Sequence, residues 1–311
     1  MAGIIKAHDP ACYICFMGKG YTKSIIECCS SVDRFVDVED FLKADGNSLQ
    51  KEWDVIIHVF PRKDIAQKAR KAGIKMRIGT RGRLYHLLTC NKLVALSRRN
   101  SALHESQLNT KLLGPLGIHK DWSLDELAGL TNFKIISELP SKWNTLLQPG
   151  KRHIILHPKS QGSAREWGLD NFIQLIRILP KDRYQVFISG TEKEREALGP
   201  LFAAVGDHVT DLTGQMNLDE FIAFINACDA LVAASTGPLH IGAALGKVAV
   251  GLYPPIRPMN PGRWAPIGPH AKALVLEKDC EDCRKDPQSC SCIQSISAME
   301  VVMVLDTMNK K

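Results

Sequence analysis

Nowhere in this 311-residue chain is there the run of roughly 20 apolar residues that a bilayer-spanning helix requires. Its longer apolar stretches, such as Ala230 to Ala234 and Val248 to Leu252, fall far short. No unbroken apolar segment opens the chain either. Lys6, His8 and Asp9 lie within the first ten residues, so no secretory signal is expected. Low-complexity tracts and repeats of fixed period are also missing, and 45% hydrophobic against 23% charged residues excludes disorder and collagen. Charge of one sign is not in great excess. Lys+Arg 40 against Asp+Glu 33 leaves +7, a mild surplus that suits anionic small molecules or a membrane surface without selecting one; no nucleic-acid partner is expected. Without an export signal, the ten cysteines, adjacent Cys28 and Cys29 among them, are expected as thiols or ligands in a cytoplasmic protein.

What is present is alternation. A chain of this length predicts about two domains. From Arg152 onward, apolar strands at His153 to His157, Gln185 to Ser189, Ala230 to Ala234 and Val248 to Leu252, with a short one near Val209, are separated by helical patterns. Leu169, Phe172, Ile173, Ile176 and Leu179 share one helical face. A charged helix is expected from Glu192, and Asn217 and Glu220 form a capping box for a helix from Leu218 to Ala227, as Ser297 and Glu300 do for a last helix. Short links between such units predict a parallel sheet covered by helices on both faces. The first half is less complete. Strands are expected at Cys12 to Met17, Phe35 to Val38, Val55 to Val59, Met76 to Ile78 and Leu93 to Leu96, with helices at Ile65 to Ala72 and His104 to Leu113. Gly117 to Gly150, with Pro140 and Pro149, suits a linker. The expectation is two α/β domains, 1–148 and 149–311, with a ligand-binding cleft between them.

Two segments carry the chemistry. In Ala233 to Ala244 a buried strand ends in Ser235-Thr236-Gly237, and Pro238 stands at the first position of a small, apolar helix. The free N–H groups of that helix point out of the carboxyl edge of the sheet, which suits a phosphate. An ordinary strand-to-helix turn with His240 in the core explains the same residues. The loop after the first strand of this half, His157 to Trp167, holds Lys159, Ser160, Ser163 and Arg165 at the same edge. Two cations beside a helix N-terminus would neutralise a diphosphate leaving group.

The run Ser160, Arg165, Trp167, the run Ser235 to His240 with its Ala-rich helix, and the strand end Gly251 to Pro255 resemble the C-terminal half of family 9 glycosyltransferases, the ADP-heptose:lipopolysaccharide heptosyltransferases. Lys75 to Thr80, Leu103 to Glu105 and Leu113 to Ile118 extend the resemblance over most of the chain. It implies an α/β GT-B fold, two Rossmann-like domains with parallel sheets facing a cleft. It also implies inverting, metal-independent transfer of a heptose or related sugar from an ADP-sugar to a lipopolysaccharide core or lipid A-linked acceptor, with peripheral contact to the inner membrane. By position, Arg165, Thr236 and His240 fall on the departing diphosphate and sugar. Lys159, Ser160, Ser163, Gly237 and Pro238 fall on the donor, Met216 near the adenine and Glu192, with Glu194 as competitor, on the ribose. Ser235 takes a place where many members have Asp.

Members of the family also begin with a hydrophobic strand and a loop bearing an Asp, the expected base, ahead of a helix whose tail resembles Gly3 to His8. Met1 falls after that point, so the N-terminal domain is expected to be incomplete and an inactive nucleotide-binding remnant is the alternative reading. His58 and Asp64 are conceivable substitutes for the base, although capping explains Asp64 equally well. Arg62, Lys63, Arg81 and Arg83 read as a basic patch for acceptor phosphates, or as solvated loops. Cys280, Cys283, Cys290 and Cys292 match a thiolate zinc site in number and first spacing, but the tight second pair argues against it and no metal cofactor is expected.

Overall fold

The computed structural model describes residues 1–98, 101–278 and 290–307. The chain divides into two compact units, Met1–Asn132 and Phe133–Lys311. The expected division after residue 148 falls inside the second unit. There Lys142 pairs with Glu220 at 2.9 Å, and the Gln148 N–H and Leu146 carbonyl bond to the Gln185 amide.

In the first unit β1 (Cys15–Gly18) pairs in parallel with β2 (Arg34–Asp37). Separately, β3 (Val55–Ile57), β4 (Met76–Thr80) and β5 (Lys92–Val94) form a second parallel sheet in that order. No ladder joins the two sheets among the described residues. They nonetheless share a core: Met17 of β1 and Val36 of β2 pack with Ile56 of β3 around Phe41, Leu49, Ile65 and Ile74. Ile57, on the other face, packs with Ile4, Leu113 and Leu127. The helix expected at Ile65 to Ala72 occupies Lys63–Lys71, and the one expected at His104 to Leu113 occupies Glu105–Thr110 before tightening into a 3-10 turn.

The second unit holds one six-stranded parallel sheet: β6 (Arg152–His157), β7 (Tyr184–Ile188), β8 (Val209–Asp211), β9 (Ala230–Ala234), β10 (Val248–Tyr253) and β11 (Ala271–Val275). Their spatial order is β11-β10-β9-β6-β7-β8. The continuous apolar runs of β6 and β9 are buried on both faces, as a sheet sandwiched by helices requires. Phe172, Leu175 and Ile176 of the helix Leu169–Ile178 enter that core, and Val301 and Leu305 of Ala298–Thr307 do the same. Both expected capping boxes form: Asn217 Oδ1 accepts from the Glu220 N–H at 2.9 Å, and Ser297 Oγ from the Glu300 N–H at 3.2 Å. The charged segment after β7 differs from expectation. It runs through 3-10 turns at Glu192–Glu194 and Glu196–Leu198 and becomes an α-helix only at Gly199–Val205, where Pro200 in the first turn needs no intrahelical partner.

Candidate nucleotide-diphosphate site

The order of the second sheet fixes where a ligand fits. From β6 the chain steps to β7 and β8 on one side, then crosses to β9, β10 and β11 on the other, so the direction of winding reverses between β6 and β9. Crevices outside the carboxyl ends of strands at such a reversal are where open α/β sheets bind ligands. β6 and β9 are hydrogen-bonded in parallel, with Leu156 opposite Val232 and His157 opposite Ala233. The loops at 158–168 and 235–237 therefore leave the same edge side by side.

The β6 loop is internally braced. Ser160 Oγ donates to the Ala164 carbonyl at 3.0 Å, its N–H donates to Glu166 Oε1 at 3.0 Å, and the Ser163 hydroxyl donates back to the Ser160 carbonyl at 2.7 Å. Gln161 and Gly162 take left-handed backbone conformations, φ 49 and 78, to turn the chain. Trp167 anchors the far end, fully buried, its indole N–H on the Ile296 carbonyl at 2.8 Å and its ring edge-on to Phe172. Arg165 is held between these anchors and is 8% exposed. Lys159, expected beside it as a second cation, is instead ion-paired with Glu166, which has the right length and position to neutralise it.

Thr236 is the N-cap of the helix Gly237–Ala244, with Pro238 in its first turn, and its own hydroxyl donates to the Ala234 carbonyl at 3.3 Å rather than capping the helix. Among the described residues, no side chain therefore caps this helix N-terminus. A Cβ built on Gly237 meets nothing within 4 Å, so this N-terminus opens onto space. Ser235, Pro238 and His240 are half-buried around it. Beneath it Tyr253, its phenol pushed to higher pKa by burial, donates to the Trp264 carbonyl at 2.5 Å.

On the other side of β6 the loops after β7 and β8 touch. The Gly214 N–H donates to the Gly190 carbonyl at 2.9 Å, and a Cβ on Gly214 (φ 69) would lie 2.2 Å from Glu192 Oε2. Glu192 and Met216 are thereby brought to one corner of the edge. The two candidate carboxylates separate by role: Glu194 is buried and accepts from the Thr191 N–H at 2.8 Å and its hydroxyl at 2.9 Å, while Glu192 is exposed and makes no hydrogen bond among the described residues.

Three groups here have no assigned role in the sequence reading. His157 Nδ1 meets Ser189 Oγ at 2.9 Å, and burial lowers the pKa of this imidazole against the opposing pull of Glu194 and Glu166. Thr213 is fully buried, and its hydroxyl has no hydrogen-bond partner among the described residues. Adjacency of β6, β7 and β8, which sequence periodicity does not encode, is what assembles them.

In the first unit Arg62 binds Asp64 through two nitrogens, and Asp64 also accepts from the Ile65 N–H at 2.9 Å. Arg62 first of all holds the Asp64 carboxyl below its usual range; Asp64 lies within the first turn of its helix, whose N-cap is Arg62, and is ion-paired there. Lys63 is exposed at the start of its helix. His58 is 3% exposed, its Nε2 without a hydrogen-bond partner among the described residues and its pKa pushed down to about 4 by burial, then by His86 and Arg77. Cys290 and Cys292 are buried in the core around Trp167 and Ile293, whereas Cys280 and Cys283 lie outside the described residues. Among the described residues, no three His, Cys, Asp or Glu side chains are grouped so as to hold a metal.

A parallel sheet whose winding reverses between β6 and β9 defines an open α/β protein of the kind that binds ligands at that edge. The model of glycosyltransferase family 9 (heptosyltransferase) matches residues 49–294, and the chain belongs to that family of glycosyltransferases. The Haemophilus influenzae protein named "Putative glycosyltransferase" is 25% identical over 302 residues, covering 92% of this chain and 85% of that one. Lipopolysaccharide heptosyltransferase 2 of Escherichia coli (strain K12) is 28% identical over 152 residues, 48% of this chain and 43% of that protein. The solved structure of the Escherichia coli ADP-heptose lps heptosyltransferase II superposes with a TM-score of 0.74 at 21% identity, over 99% of this chain and 92% of that one. The fold is accordingly of the GT-B class, α/β with parallel sheets.

Proposed function

We propose that the chain transfers a heptose or related sugar from an ADP-sugar to a lipopolysaccharide core acceptor by inverting displacement. The observation that carries this reading is the side-by-side exit of the β6 and β9 loops, with buried Arg165 on one and the open helix N-terminus at Gly237 on the other. In the proposed step the acceptor hydroxyl attacks the anomeric carbon from the face opposite the diphosphate. Its proton passes to a base, and the electrons of the breaking C–O bond leave with ADP. Negative charge grows on the diphosphate as that bond breaks. A guanidinium and helix N–H groups already aimed at it stabilise the transition state more than the ground state, without a metal ion in that role. With Lys159 spent on Glu166, Arg165 carries the cationic part alone. Glu192 accepts from the ribose hydroxyls and Met216 lies along the adenine. Arg62 and Lys63 receive the anionic acceptor.

The relatives' names support the donor and the acceptor class: one is called an ADP-heptose lps heptosyltransferase, another a lipopolysaccharide heptosyltransferase. ADP affinity and transfer from ADP-heptose to a lipid A-linked core acceptor, measured on one preparation, test the reading. Binding with turnover is the expected result. Binding without turnover would leave a nucleotide-binding remnant, and no ADP binding would overturn the site itself.

A further inference from the structure

Between His157 at the end of β6 and Leu169 at the start of the next helix the chain forms neither strand nor helix, yet Arg165 in this stretch has to be held still to serve a ligand. Glu166 supplies the bracing. Its Oε1 accepts from the Ser160 N–H at 3.0 Å and stands 3.1 Å from the Ser160 hydroxyl, while its Oε2 takes the Lys159 ammonium. One carboxylate thus reaches back six and seven residues and fastens the end of the loop to its beginning. The enclosed residues are tied from within: the Ser163 N–H donates to the Ser160 carbonyl at 3.0 Å, and the Ser160 hydroxyl to the Ala164 carbonyl at 3.0 Å. Ser160 is 6% exposed, so its N–H is costly to leave without an acceptor. Arg165 lies just before this clasp and just ahead of buried Trp167, whose indole is held by the Ile296 carbonyl.

A carboxylate is a poor neighbour for a diphosphate. Like charges repel, so a glutamate in a loop that binds one weakens the binding unless its charge is taken up. The Lys159 ion pair and the Ser160 N–H take it up here. Both members of that pair are partly exposed, so solvent screens the pair and it adds little to the stability of the fold. What it does provide is a loop ordered before the ligand arrives, which spares binding and reaction the cost of ordering it. We propose that Glu166 is a positioning residue for the transfer step, clasping the loop 158–168 so that Arg165 meets the departing diphosphate. This role rests on the sugar transfer proposed above and is exerted through Arg165, since the carboxylate itself is occupied by Lys159 and Ser160.

A double-mutant cycle tests it, with E166A, R165A and E166A/R165A read in single-turnover transfer from ADP-heptose and in ADP calorimetry. E166A alone is expected to lower the transfer rate constant about tenfold and ADP affinity about threefold, with its thermal midpoint unchanged. In the R165A background the same change should cost nothing more, because the group it positions is gone. E166Q, which keeps an oxygen for the Ser160 N–H, should restore transfer to within about threefold of the native chain. An E166A variant equal to the native chain overturns the proposal, as does an equal loss in both backgrounds, the mark of a damaged fold. So does tighter ADP binding by E166A, which would mean that Glu166 only withholds Lys159 from the ligand. Native transfer by R165A would overturn the function proposed for the site and this role with it, whereas an impaired R165A beside an intact E166A would overturn this role alone. Should the native chain bind ADP without turnover, the calorimetric cycle decides by the same criterion.

Discussion

Arg165 is 8% exposed, and the neighbouring lysine is already neutralised by Glu166. Replacing Arg165 with alanine removes the cation that the proposed function assigns to the diphosphate. Transfer should fall about 100-fold, as for a deleted oxyanion donor, in a single-turnover assay with ADP-heptose. Gly214 makes a different demand. Any Cβ there collides with Glu192, and its φ of 69 resists other residues. Gly214→Ala should therefore displace the carboxylate assigned to the ribose and weaken ADP binding about tenfold by calorimetry, a loss on the scale of one charged hydrogen bond. His58 gives a third residue-scale prediction, in pH. Its imidazole is neutral in the folded chain and titrates at about 4, against about 6.5 when unfolded. The unfolded chain therefore binds the extra proton first, and stability present above pH 6.5 is lost as pH falls towards 4, by about 3 kcal/mol in all. Thermal melts across that range should show the decline, and His58→Phe should flatten it.

At the scale of elements, the helix Gly237–Ala244 matters through its first turn. Gly237 faces open space, so Gly237→Asp costs the fold little, yet it sets a carboxylate where the phosphate is to bind. ADP affinity should drop at least about tenfold while the melting temperature is unchanged; equal affinity would remove this helix from the site. Much of the second unit's element order was legible because its cues are local. The Asn217/Glu220 and Ser297/Glu300 boxes, Pro238 after Thr236, and the apolar strands His153 to His157 and Ala230 to Ala234 each act within a few residues. Cues that depend on distant partners were not legible. Sequence cannot show that Lys159 is taken by Glu166, or that Glu194 turns inward to cap Thr191 while Glu192 stays out. The strand β11 and the short helices Val38–Lys43 and Gly46–Glu52 were missed, being short and held by packing: Phe41 and Leu49 gain their burial from Ile56 and Ile65.

Over the whole molecule, the two compact units differ in build. The second is a single six-stranded sheet buried on both faces, while the first spreads five strands over two sheets that, among the described residues, share side chains but no ladder. Among the described residues core packing, not a ladder, ties β1 to β3, so Ile56→Ala should destabilise the first unit by about 2–5 kcal/mol and expose amides of both small sheets together in hydrogen exchange. The second unit should keep its protection in the same experiment. The account as a whole stands on the switch point between β6 and β9, and the crystal structure of the chain with ADP measures it most directly. The diphosphate is predicted within hydrogen-bonding distance of the Gly237 N–H and the Arg165 guanidinium, with the ribose at Glu192. A nucleotide bound away from those two loops would contradict it.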